Sequence, residues 1–144
     1  MRFTMMAVAF CAALGMTVPM TPAKAASVVA RIDISSQTMT VSVGGKPRHR
    51  WAVSTGRQGY RTPVGSFRPQ RLERSWYSTI YDNAPMPYSV FFRGGYAVHG
   101  TNATGRLGRP ASHGCVRLAT GNAAKFYSLV RQHGMGNTRI VVTR

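Results

Sequence analysis

The chain has 144 residues, with 19 Lys and Arg against 3 Asp and Glu, and a formal net charge of +16. That length supports one domain with a core of its own, and no internal repeat, low-complexity tract or linker suggests a second. The basic residues are scattered singly, without an RNP-like, zinc-finger or helix-turn-helix pattern, so charge alone does not make this a nucleic-acid reader.

The N-terminus reads as a secretory signal. Arg2 gives a positive start, Phe3 to Val18 are mostly apolar, Pro19 breaks the run, and Ala23-Lys24-Ala25 places small residues at both positions of an A-x-A cleavage site. The competing reading is an uncleaved anchor, but a spanning helix takes about 20 apolar residues. This run is shorter and ends in a processing site. Cys11 lies in the middle of it, which does not suit a lipoprotein attachment site. Cleavage is expected after Ala25, leaving residues 26–144 without a membrane span. Loss of Arg2 and Lys24 lowers the charge from +16 to +14. Export argues against nucleic acid as partner. An anionic envelope, with lipid phosphates and peptidoglycan carboxylates, suits the charge better, and part of the charge is expected to be plain solvated surface.

The rest of the chain reads as short strands. Val28, Ala30, Ile32 and Ile34 alternate with Val29, Arg31 and Asp33, and Met39, Val41 and Val43 alternate with Thr38, Thr40 and Ser42. This is the period of half-buried strands, and Ser35-Ser36-Gln37 is short enough to join them as a hairpin. Gly44-Gly45 is the next turn and Arg48 to Ser54 a third strand. Further strands are expected near Ser66-Phe67, Trp76 to Ile80, Ser89 to Phe92 and Tyr96 to His99, with Thr138 to Thr143 closing the sheet. One helix is expected: Thr120 as N-cap, Ala123, Phe126, Tyr127, Leu129 and Val130 at helical spacing, and Gly134 as the stop. The segment from Gln70 to Pro87 reads either as a flap over a site or as a surface excursion.

Once the leader is removed, Cys115 is the only thiol left, and a lone thiol in an oxidising compartment has no disulfide partner. It lies in Ser112-His113-Gly114-Cys115-Val116-Arg117-Leu118. A cysteine attacks a carbonyl as thiolate and needs a base or positive surroundings to reach that state. Two histidines are candidates for the base. His113 is close in sequence, whereas His99, at the end of a strand, can be brought opposite by the sheet. Gly114 permits a tight turn, and consecutive amides there can form an oxyanion hole. The density of arginine is expected to lower the thiol pKa. An inert core cysteine is the bland alternative. A zinc site from His99, His113 and Cys115 lacks the usual paired spacings, so no metal is expected. His49 and His133 are expected at the surface.

Several segments together resemble the L,D-transpeptidase (YkuD-like) catalytic domain. These are His99-Gly100-Thr101-Asn102, then, with twelve residues between His99 and Ser112, Ser112-His113-Gly114-Cys115-Val116-Arg117-Leu118. Upstream, Ser54-Thr55-Gly56, Thr62-Pro63-Val64-Gly65-Ser66-Phe67, and Met86-Pro87-Tyr88 before Phe91-Phe92 and Gly95 extend the match over nearly all of 26–144. The resemblance implies a mainly β, single β-sandwich-like domain with one short helix after the cysteine. It implies Cys115 as nucleophile, His99 as proton acceptor and donor, the Gly100 carbonyl orienting His99, and the Gly114 and Cys115 amides binding the oxyanion. Ser112 and His113 would shape the site, and Arg117 stands where some members have Asn. The implied substrate is a peptidoglycan stem tetrapeptide, which loses D-Ala and forms a thioester. An amine acceptor resolves it: a second stem, a D-amino acid or the lysine of an envelope protein. No appended wall-binding module, no cofactor and a monomer are expected, located in the periplasm or cell envelope. The rival readings are a peptidoglycan cysteine hydrolase using the same pair and a non-catalytic cationic wall-binding protein.

Overall fold

The computed structural model describes residues 17–20 and 25–144. Of the expected leader, residues 1–25, positions 1–16 and 21–24 lie outside the described residues. Among those described, no helix is long and apolar enough to cross a membrane.

The expected hairpin is present as β1 (Val28–Asp33) and β2 (Thr38–Val43), antiparallel with Val28 opposite Val43. Val28, Ala30, Ile32, Met39 and Val41 are fully buried, while Arg31 faces solvent, as the two-residue period requires. β3 (Lys46–Ala52) pairs with β2 through a bulge between Val41 and Ser42. β4 (Gly65–Phe67) and β9 (Thr138–Thr143) complete a five-stranded sheet in the order β3-β2-β1-β9-β4. β9 does not sit at an edge: it runs parallel to β1, between β1 and β4.

A second sheet has the order β5-β6-β7-β8, from β5 (Arg71–Glu73), β6 (Ser89–Arg93), β7 (Tyr96–Thr101) and β8 (Val116–Ala119). The helix α1 (Thr120–His133) follows β8 and contacts strands of both sheets, β1 as well as β6, β7 and β8. Its buried Ala123, Phe126, Tyr127 and Val130 share one core with Ile32, Met39, Phe92, Val98, Leu118 and Ile140. Each large apolar side chain removed from water there contributes roughly 1.5–3 kcal/mol. Among the described residues the architecture is mainly β, with two sheets and one α-helix, as expected.

Two local expectations fail. Trp76 to Ile80 form no strand. Asp82 and Asn83 are both left-handed, at φ 48° and 51°, and Pro85 and Pro87 carry no N–H, so the segment loops and keeps only an isolated Tyr77–Pro85 bridge. Thr120 is not the N-cap. It is the first helical residue, and its hydroxyl donates back to the Thr101 carbonyl at 3.4 Å. Gly134 does end the helix, at φ +92°, and its N–H bonds the Val130 carbonyl.

Candidate active site

β7 and β8 are parallel, with Val98 opposite Val116 and His99 opposite Arg117. Val98, Val116 and Leu118 turn into the main core. Alternation then puts Ala97 and His99 of β7 on the other face, together with Arg117 of β8 and, one pair further along, Cys115. The Ala97 N–H reaches Cys115 Sγ at 3.5 Å, and the thiol faces the Gly95 carbonyl at 3.7 Å. Ala97 and Cys115, eighteen residues apart in sequence, are thus neighbours on a sheet face that His99 shares. Among the described residues Cys115 is a free thiol.

His99 is only 6% exposed. Its Nδ1 lies 2.7 Å from the Gly100 carbonyl, which can only accept, so Nδ1 carries the proton and Nε2 presents a lone pair. Burial pushes its pKa down to about 4; the Gly100 bond opposes this, and the Arg117 charge lowers it further. Burial likewise raises the Cys115 thiol, although the Ala97 N–H and Arg117 pull it back. Arginine does lower the thiol pKa as expected, through Arg117, but desolvation outweighs it and the net shift is upward. At neutral pH the resting pair is a neutral thiol and a neutral imidazole.

The loop before Cys115 is pinned from within and from outside. Ser112 Oγ accepts from Gly114 N–H at 3.0 Å and donates to the Cys115 carbonyl at 2.6 Å. This amends the oxyanion expectation: the Gly114 amide is already engaged by Ser112, leaving the Cys115 amide as the candidate donor. Gly114 itself is required, since at φ +119° an added Cβ would lie 2.5 Å from the Tyr96 ring. Outside the loop, Gln37 holds Thr55 by two bonds, and the Thr55 carbonyl accepts from both Ala111 and Ser112.

A cavity of about 550 Å³ opens over this face, lined by Cys115, His99, Ser112, His113, Arg117 and Tyr96 on one side. Ser78, Ile80, Tyr81 and Ala84 to Pro87 line it on the other, so part of the segment read as either a flap or a surface excursion forms a wall of the cavity. Tyr81 stacks on His113 with ring centres 4.1 Å apart, and Tyr60 meets the same ring edge-on. The other side of His113 is occupied too: an Arg57 guanidinium nitrogen lies 3.1 Å from Nε2. His113 is therefore held at the rim by aromatic and arginine neighbours. Arg117 lines the cavity, whereas Arg106 and Arg109 do not. Among the described residues no three His, Cys, Asp or Glu side chains are placed to share a metal ion.

Sequence reasoning missed Gln37, Thr55, Tyr60, Tyr81 and Tyr96. Only contacts between distant segments give these residues a role; Thr55 entered the sequence reading only as part of Ser54-Thr55-Gly56, and no local spacing marks the others.

The sequence model of the L,D-transpeptidase catalytic domain (YkuD) matches residues 27–142. A Bacillus subtilis protein described as an L,D-transpeptidase, YkuD, is 23% identical over 117 residues, covering 78% of this chain and 64% of that protein. An L,D-transpeptidase from Mycobacterium tuberculosis H37Rv superposes with a TM-score of 0.74 at 29% identity, over 83% of this chain and 58% of that one. L,D-transpeptidase 3 from Mycobacterium tuberculosis, solved with a faropenem-derived adduct, gives 0.72 at 27% identity, over 83% and 61%. The chain thus spans about three fifths of the length of these relatives. With a family match that runs from β1 into β9, the chain belongs to the L,D-transpeptidase catalytic domain family.

Proposed function

We propose that this protein is a peptidoglycan L,D-transpeptidase acting in the cell envelope as residues 26–144. Cys115 attacks the amide between the third residue of a stem tetrapeptide and its terminal D-Ala. As the Sγ–C bond forms, the thiol proton passes to His99 Nε2, and the Cys115 amide faces the oxygen that gains charge. Collapse breaks the C–N bond, His99 returns the proton to the departing D-Ala, and a thioester remains. An amine then takes the acyl group: a second stem, a free D-amino acid or the lysine of an envelope protein. The Gly100 carbonyl keeps His99 in the reactive tautomer, Ser112 and His113 shape the site, and Arg117 faces the donor's carboxylates. No cofactor enters these steps.

The observation that carries this reading is that Cys115 and a neutral His99, its Nδ1 held by the Gly100 carbonyl, line the same cavity of about 550 Å³. The test is mass spectrometry of products from exported, purified protein given a tetrapeptide donor, with and without an amine acceptor. A crosslinked or exchanged stem is the expected product. A shortened stem alone means that water resolves the thioester and the protein is a hydrolase, and no change at all leaves a non-catalytic wall-binding protein. Edman sequencing of the same material should begin Ala-Ser-Val-Val, while an intact Met1 in a cytoplasmic fraction would remove the envelope assignment.

A further inference from the structure

Between β3 and β4 the chain turns back so that its bonds converge on the backbone preceding Cys115. Arg57 N–H donates to the Ser112 carbonyl at 2.9 Å. Thr62, buried at 4% exposure, accepts from Gly56 N–H at 3.0 Å and donates to the Gly114 carbonyl at 2.8 Å. The turn is tight enough that a Cβ on Gly56 would overlap the Tyr60 carbonyl oxygen, 1.7 Å away.

The Gly114 carbonyl and the Cys115 N–H belong to one planar trans peptide and point in opposite directions. Fixing the first therefore aims the second. Gly114 has no side chain and sits at φ +119°, where glycine has little steric preference of its own. The orientation of this peptide is thus held by bonds from elsewhere, and Thr62 supplies the one to its carbonyl. Ser112 holds the two flanking peptides through Gly114 N–H and the Cys115 carbonyl.

We propose that Thr62 is a positioning residue for acyl transfer: through the Gly114 carbonyl it aims the Cys115 N–H at the oxyanion. This rests on the cysteine chemistry proposed above. Thr62 touches none of the reacting atoms, and nothing in the motif around Cys115 points to it. Loss of one oxyanion donor costs about 10²–10³ in rate. A donor that is present but poorly aimed costs less, on the order of 10- to 100-fold.

The test compares two reactions of the same thiol in the purified protein, both followed by intact mass. A carbapenem acylates Cys115 by opening its lactam C–N bond, and an oxyanion develops on the way. Iodoacetamide alkylates Cys115 by displacing iodide from a saturated carbon, and no oxyanion forms. Thr62→Val removes the hydroxyl at nearly constant shape. Its acylation should fall about 10- to 100-fold while alkylation stays within about twofold, and Thr62→Ser should restore acylation. Equal losses in both reactions, or acylation unchanged in Thr62→Val, overturn the proposal. If thermal unfolding shows that Thr62→Val does not fold, Thr62→Ala deletes the same hydroxyl without added bulk and is judged by the same criteria. A wild type that is alkylated but never acylated overturns the acyl-transfer reading itself, and the role of Thr62 with it. Wild-type acylation alongside an unaffected variant overturns the role of Thr62 alone.

Discussion

Acidification should expose the buried imidazole of His99 in both stability and rate. Its pKa is about 4 in the folded protein against an ordinary 6.5. Between those values the unfolded chain binds a proton that the folded protein refuses. Stability from this group is therefore complete above pH 6.5 and is lost as pH falls toward 4. At 1.36 kcal/mol per pH unit the whole loss is roughly 3 kcal/mol, of which about 2 kcal/mol falls between pH 7 and pH 5. His99→Gln retains a polar side chain but cannot titrate. Urea unfolding of wild type and His99→Gln at pH 7 and pH 5 isolates the effect, because every other group cancels in the difference. Wild type should lose about 2 kcal/mol more than the variant over that interval. Carbapenem acylation of the wild type should meanwhile stay flat from pH 8 to pH 5, since His99 remains neutral throughout. Parallel losses of stability in the two proteins, or an acylation rate that halves near pH 6.5, would refute the buried neutral base.

The other predictions concern single side chains. Cys115→Ser should abolish turnover and the carbapenem adduct while the fold survives, and an adduct on that variant would place the nucleophile elsewhere. His99→Ala should slow acylation by about a hundredfold or more, the range for loss of a general base. His113→Ala should slow it less, because that ring lies at the rim against Tyr81 and Arg57; rescue of His113→Ala but not His99→Ala at high pH would reverse the two roles. Arg117→Gln should raise donor KM in a salt-insensitive way, whereas Arg106→Gln and Arg109→Gln should have small, salt-sensitive effects. Three equal, salt-sensitive losses would reduce Arg117 to part of a general field.

The strands that alternate cleanly were legible. Val28 to Asp33 and Thr38 to Val43 bury every second residue, and the sequence period says so directly. The same logic failed at Trp76 to Ile80, where apolar residues follow the surface into the cavity wall and left-handed Asp82 and Asn83 turn the chain. β5 and β8 went unread: β5 has three residues and no alternation, and the four of β8, which do alternate, lie inside the segment read as the cysteine motif.

The sequence by itself determined the candidate chemistry. One thiol within residues 26–144, a stretch almost free of acids, a glycine before it and two histidines at fixed positions limit which atoms can react, and those are matters of residue identity. Which histidine faces the thiol, and in what protonation state, was decided only by tertiary structure. The parallel β7–β8 register puts His99 opposite Arg117 and on the same sheet face as Cys115, and burial then holds the imidazole neutral and the thiol protonated despite the charge of Arg117. The supports of the nucleophile loop, Gln37, Thr55 and Thr62, are likewise set by folding. Hydrogen bonds act over about 3 Å, and only the packed chain brings Gln37 that close to Thr55, Thr55 to Ser112 and Thr62 to Gly114.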